Sequence, residues 1–124
     1  MHVVFVDWRI TKGKEDDFKK HWKAALPIED RSRMVGEFLC EPTGHEQFPW
    51  ITWDLRSEEG VIRFINVGLW ADAEAFHDQV GKYFDPATGK LPFEFALRRR
   101  ALLTPRCWRM GDWSLPIHDS GGVL

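Results

Sequence analysis

The sequence predicts an α+β domain of ferredoxin-like βαββαβ plan, an antiparallel sheet with two helices on one face. Three observations predict it. Runs rich in β-branched and aromatic residues alternate with runs of helical spacing, in that order, over residues 1–110. One strand, Val61–Trp70, runs straight into a helix at Asp72. That strand is also apolar on both faces, with Val61, Ile65, Val67 and Leu69 opposite Ile62, Phe64 and Trp70. A one-sided sheet alternates apolar with polar, so both faces must be covered. The helices cover one. Nothing left in the chain is large enough to cover the other, and a second copy of the chain is expected there.

The first strand spans Val3 to Ile10, with Val4, Val6, Trp8 and Ile10 on one face, and Lys12-Gly13 breaks it. Glu15, Asp16 and Asp17 place negative charge in the first turn of a helix, where the dipole favours it. Phe18, Trp22, Ala25 and Leu26 recur at helical spacing, so this helix runs from Lys14 to Leu26 and closes at Pro27. Arg31 to Met34 is a polar link. Val35 to Glu41 is the second strand, stopped by Pro42-Thr43-Gly44. Gln47 to Arg56 reads either as a further short strand or as an ordered loop. Val61 to Trp70 is the next strand. Asp72 caps the second helix, which extends to Phe84 with Ala73, Phe76 and Val80 on one stripe. Asp85 to Gly89 is a loop, and Leu97 to Met110 is the last strand, bent near Pro105. Residues 111–124 form an irregular tail.

With 124 residues the chain is one domain, long enough for a proper core. A formal charge of −2 gives no reason to expect nucleic acid or an anionic membrane as partner. No apolar run is long enough to span a bilayer, and the first residues lack the pattern of a signal peptide. A cytoplasmic location is expected, with Cys40 and Cys107 as buried free thiols rather than a disulfide. Seven tryptophans in so short a chain point to a ligand cavity or a sizeable subunit interface.

Within the strand from Val61, Asn66 and Trp70 share a face with Ile62, Phe64 and Gly68. An amide and an indole flanking a glycine make a polar notch in an apolar wall. Asn66 is the sharpest candidate, weighed against a plain hydrogen bond to a neighbouring loop. Trp70 reads first as a packing anchor for the strand-to-helix junction. His77 on the second helix and His21 on the first flank apolar stripes. Each is a surface histidine in the simpler reading and a general base in the sharper one. Arg98-Arg99-Arg100 is split by strand alternation, with Arg98 and Arg100 on one face, and reads as solvated or salt-bridged. His45-Glu46 lacks the second histidine of a zinc helix, so no metal site is expected. There is no Gly-rich phosphate loop, nucleophile elbow or cysteine pair of metal spacing.

Trp70-Ala71-Asp72-Ala73-Glu74-Ala75-Phe76 resembles the opening of the second helix in antibiotic biosynthesis monooxygenase (ABM) domains. The resemblance extends over the first strand with Lys12-Gly13-Lys14-Glu15 and over most of residues 2–104. It implies the dimeric α+β barrel, a fold that carries several functions. Members that oxidise polycyclic phenols to quinones use no metal and no flavin, so no cofactor is expected. The substrate anion would hand an electron to dioxygen, and polar groups would stabilise the anion as an oxyanion site does. In those enzymes an Asn four residues before the motif Trp is functional, and Asn66 and Trp70 have that spacing. A pocket tyrosine of those enzymes falls at Phe76, which removes a phenol hydroxyl. A haem-degrading branch needs an Asn on the first strand and a Trp and a His farther along the second helix. Here those places hold Asp7 and Trp8, then Gln79, and His77 comes too early, so haem degradation is not expected.

The resulting expectation is a homodimer with one aromatic-lined cavity per subunit, acting on a small aromatic or polyketide-like molecule. Asn66 would stabilise the substrate anion, His77 or His21 would be the base, and Trp70, Phe64, Phe76 and Trp22 would line the cavity. The alternative is a non-catalytic binding or scaffold domain of the same fold, its cavity filled by side chains. Phe76 favours the alternative.

Overall fold

In the computed structural model, which describes residues 1–24, 28–51, 58–83, 87 and 89–112, the elements run β1 (His2–Thr11), α1 (Glu15–Ala24), β2 (Met34–Cys40), β3 (Val61–Trp70), α2 (Ala73–Gln79) and β4 (Glu94–Leu103). The strands form one sheet in the order β2-β3-β1-β4, with antiparallel neighbours throughout. This is the predicted α+β, ferredoxin-like arrangement. The two most apolar strands take the centre, where both edges of the backbone are hydrogen-bonded.

Alternation along the strands sorts the residues into two faces. Val4, Val6, Trp8 and Ile10 of β1 lie opposite Gly68, Asn66, Phe64 and Ile62 of β3 and turn towards the helices. Phe18 from α1 is fully buried against them, its ring 5.0 Å from those of Trp8 and Phe64 and 5.6 Å from that of Phe93. Trp22, one helical turn on, packs against the same core, as do Ala75 and Phe76 from α2. Both helices therefore cover one face. On the other face Val3, Phe5, Phe38, Val67 and Leu69 share paired positions and stay half-exposed. This face also carries Asp7, whose carboxylate meets Arg63 at 3.0 Å and Arg99 at 2.5 Å.

Several boundaries differ from those expected. α2 ends at Gln79, and a short 3-10 turn over Gly81–Tyr83 replaces its last turn. Val80 closes the helix by donating to the Phe76 carbonyl at 2.8 Å, and the Phe76 ring crowds Gly81, where an added Cβ would come within 3.3 Å of it. β4 begins at Glu94 and stops at Leu103, before Thr104-Pro105. Proline lacks an N–H for the ladder, so the strand ends there rather than bending through. Residues 46–51 form turns rather than a strand; 52–56 lie outside the described residues, as do the end of the first helix at Leu26 and Pro27, residue Phe84, and the tail from 113. Cys40 and Cys107 are free but exposed rather than buried. Cys40 ends an edge strand, and Cys107 lies beyond the last one. No helix among the described residues is long and apolar enough to cross a membrane.

Candidate functional site

Asn66 lies on β3 beneath α1 and is 3% exposed. Its amide is held from both ends. The Trp22 indole donates to Oδ1 at 2.9 Å, and Nδ2 donates to Glu37 Oε1 at 2.8 Å. An indole N–H can only donate, so it fixes which end of the amide faces which partner. Among the described residues, one amide hydrogen and one lone pair of Asn66 stay uncommitted. The partner is thus a pair of side chains from α1 and β2, not the loop backbone of the simpler reading.

Glu37 comes from the middle of β2, where it sits opposite Gly68, two residues before Leu39, which pairs with Asn66. Burial pushes its carboxyl above the usual range; the Asn66 hydrogen bond and the charge of Arg31 pull the other way without reversing it. Its second oxygen, Oε2, accepts no hydrogen bond from the described residues.

Trp70 is wholly buried, and its indole N–H has no hydrogen-bond partner among the described residues. The indole lies over Gly68: a Cβ built there would come within 2.7 Å of Nε1 and 3.2 Å of Cδ1. Glycine at 68 is what lets the ring lie down on the sheet. The Phe76 ring meets it edge-on at 5.9 Å. The junction that aims these groups is pinned by Asp72, which caps α2 through Ala75 N at 2.8 Å and pairs with Arg33, while Ala71 N donates to the Arg33 carbonyl at 2.8 Å. Gly68 thus has beside it the Trp70 indole, whose N–H has no partner among the described residues, the Asn66 amide and the half-buried Glu37 carboxyl.

The other residues singled out in the sequence fall elsewhere. Phe64 is core, packed on Phe18 with the Lys19 ammonium 5.4 Å from its ring centre. His77 lies on the outer side of α2, its side chain 68% exposed and 3.6 Å from Asp78. The His21 ring meets that of Phe93 at 5.1 Å, tilted by 56°, just before the start of β4. Burial and the charge of Arg98 hold its imidazole below the ordinary value, with Glu94 acting the other way. Neither histidine joins the Asn66 group. Arg98 is salt-bridged but not solvated: it is buried against Glu94 at 2.6 Å, and its guanidinium stands 5.6 Å from the Trp8 ring centre. A surface groove of about 440 Å³ lies apart from the notch, at the start of α2, lined by Asp30, Arg33, Asp72, Glu74 and Asp78.

Sequence reasoning missed Glu37. The signal was present in strand alternation, which places this lone acid on the face of Leu39 rather than with Phe38.

No family model and no curated protein matches the sequence. Solved structures do match in shape. A monooxygenase from the ActVA-Orf6 gene of Streptomyces coelicolor, in complex with Nanaomycin D, superposes with a TM-score of 0.56 at 12% identity, over 89% of this chain and 91% of that one. The chain shares its fold. A point mutant of SnoaB, a cofactor-independent oxygenase from Streptomyces nogalater, gives 0.51 at 18% identity over 86% and 95%. A point mutant of MhuD with two manganese protoporphyrin IX molecules bound per active site gives 0.53 at 17% identity over 88% and 99%. The ferredoxin-like α+β fold expected of one subunit is the fold these structures share.

Proposed function

We propose that the chain is an ABM-like, cofactor-independent monooxygenase acting on a small hydroxylated aromatic or polyketide-like molecule. The observation that carries the reading is the buried Trp70 N–H, which lies beside Asn66 and has no partner among the described residues. A buried donor without an acceptor costs on the order of 1–3 kcal/mol, and a substrate oxygen over Gly68 would relieve that cost. As the hydroxyl ionises, the indole N–H and the free Asn66 hydrogen face the growing negative charge, where fixed donors stabilise it most. The anion then gives an electron to dioxygen. Overall, a phenol and dioxygen yield a quinone and water, one oxygen atom going to each product. Trp22 holds the Asn66 amide in orientation, and Trp70 and Phe76 wall the ring. The likeness to two oxygenases in fold supports this reading.

The half-exposed apolar face of Val3, Phe5, Phe38, Val67 and Leu69 supports a homodimer built sheet to sheet, which belongs to the same proposal. So does a cytoplasmic location.

A non-catalytic binding domain is the second reading. It is favoured by Phe18, which fills the space between Trp8, Phe64 and Phe93, and by Phe76, which brings no hydroxyl. Dioxygen uptake with a panel of hydroxylated naphthalenes and anthrones separates the two. The oxygenase reading expects uptake with at least one member and a loss of about 10²-fold or more in Asn66→Ala. Binding without uptake gives the second reading, and equal rates remove Asn66 from the chemistry.

A further inference from the structure

We propose that Glu37 is the proton acceptor of this site, taking the hydroxyl proton of the bound arene onto Oε2; the assignment rests on the oxygenase reading. Three features of the geometry place it there. Glu37 is the cross-strand partner of Gly68, and side chains of such pairs stand roughly 5 Å apart at Cβ. The Trp70 indole N–H occupies the space directly over Gly68. A hydroxyl oxygen that enters between them, displacing contacts that now bury Nε1, accepts from the indole and presents its hydrogen to the carboxylate. Asn66 holds Oε1 at 2.8 Å, which anchors the carboxyl and leaves Oε2 as the oxygen that receives the proton.

The step balances simply. The arene O–H bond breaks, a new O–H bond forms at Oε2, and the electron pair stays on the arene oxygen as the anion that dioxygen later oxidises. The water formed at the end carries the proton away, returning Glu37 to its carboxylate. Burial suits the residue to this work, because a carboxylate of raised basicity is a better proton acceptor near neutral pH. The charged groups on the elements beside it are Arg31 in the segment before β2 and the Lys19–Glu41 pair at 3.3 Å, which joins α1 to the end of β2. Of these, Arg31 acts on Glu37 directly, and it favours the charged form.

The histidines leave this role open, since the His21 ring packs against Phe93 and His77 faces outward. Glu37→Gln keeps an acceptor for Asn66 Nδ2 and so preserves the local hydrogen bonding. Glu37→Asp, one methylene shorter, keeps the basic group but withdraws it.

The test is the pH profile of dioxygen uptake, kcat/KM against pH, for wild type and both variants with the most active member of the panel, alongside thermal melts. The expected result is an acid limb in wild type, loss of that limb with a fall of about 10²–10⁴-fold in Glu37→Gln, and an intermediate rate in Glu37→Asp. Wild-type activity with Glu37→Gln within threefold and the acid limb unmoved overturns the assignment and leaves the oxygenase reading standing. If the panel binds without uptake, the oxygenase reading fails. Glu37 is then read with 4-nitrophenol, whose anion absorbs in the visible: a larger anion fraction bound to wild type than to Glu37→Gln supports it, and equal fractions overturn it. No binding by any member overturns both.

Discussion

Gly68→Ala probes the arrangement on which the site depends. The added methyl would sit 2.7 Å from Trp70 Nε1 and 3.2 Å from Cδ1. Carbon and nitrogen do not approach that closely, so the indole must lift off the sheet or β3 must shift. The indole has little room to lift, because Trp70 is wholly buried and Phe76 packs on its edge. Overpacking of this kind costs about 1–3 kcal/mol. With an unfolding entropy of roughly 2 cal/mol/K per residue, each kcal/mol lowers Tm by about 4 °C in a chain of 124 residues, so the expected loss is about 4–12 °C. Trp70→Phe alone loses about 2 kcal/mol of buried contact, partly offset by removal of the unpartnered N–H. In the double variant the smaller ring vacates the space that the new methyl needs. The double should therefore be no less stable than Trp70→Phe alone, a coupling of at least about 1 kcal/mol against simple addition. Urea denaturation of the wild type and the three variants measures the cycle. Additivity within about 0.5 kcal/mol would refute the close approach.

Two further predictions test neighbouring parts of the account. Asn66→Asp keeps the acceptor for Trp22 but turns an oxygen on Glu37 across a 2.8 Å gap, so the two carboxyls must share a proton in the folded state. Their folded pKa is raised, and stability is full below the unfolded carboxyl range and lost as pH rises through the folded value, by about 1.4 kcal/mol for every tenfold gain in proton affinity on folding. Wild type follows the same sign more weakly through Glu37. Urea denaturation at pH 5 and pH 7 checks this, and a variant with no greater pH dependence than wild type would count against the hydrogen bond. Val67→Asp puts a charge in the middle of the half-exposed face. Light scattering at micromolar concentration should give a dimer for wild type and a monomer for the variant; a wild-type monomer would contradict the sheet-to-sheet pairing.

The parts of this molecule that are legible from sequence are those set by local pattern. β3 is legible to the residue because its composition changes sharply at Glu58-Glu59-Gly60 and at Asp72, and α1 is legible from its acidic first turn and from Phe18 and Trp22 one turn apart. What escapes depends on partners distant in the chain. Glu94 starts β4 as a buried acid, tolerable only because the strand's register slips against β1 and Arg98 turns in to meet it. A lone glutamate in a strand reads as solvent-facing, so neither Glu94 nor Glu37 stands out. Glu37 finds its partner 29 positions away, and only the β2–β3 register brings them together. The short α2 is hidden for a similar reason: Phe76 packs over Gly81, a contact that helical periodicity does not encode.

The central claim is that the Trp70 indole N–H waits for a substrate oxygen. Nuclear magnetic resonance of the seven indole N–H groups tests it most directly, with the Trp70 signal assigned by its disappearance in Trp70→Phe. Titration with 1-naphthol in oxygen-free buffer should move that signal downfield and saturably as the N–H gains an acceptor. A Trp70 signal that stays in place while 1-naphthol saturates the protein would contradict the account.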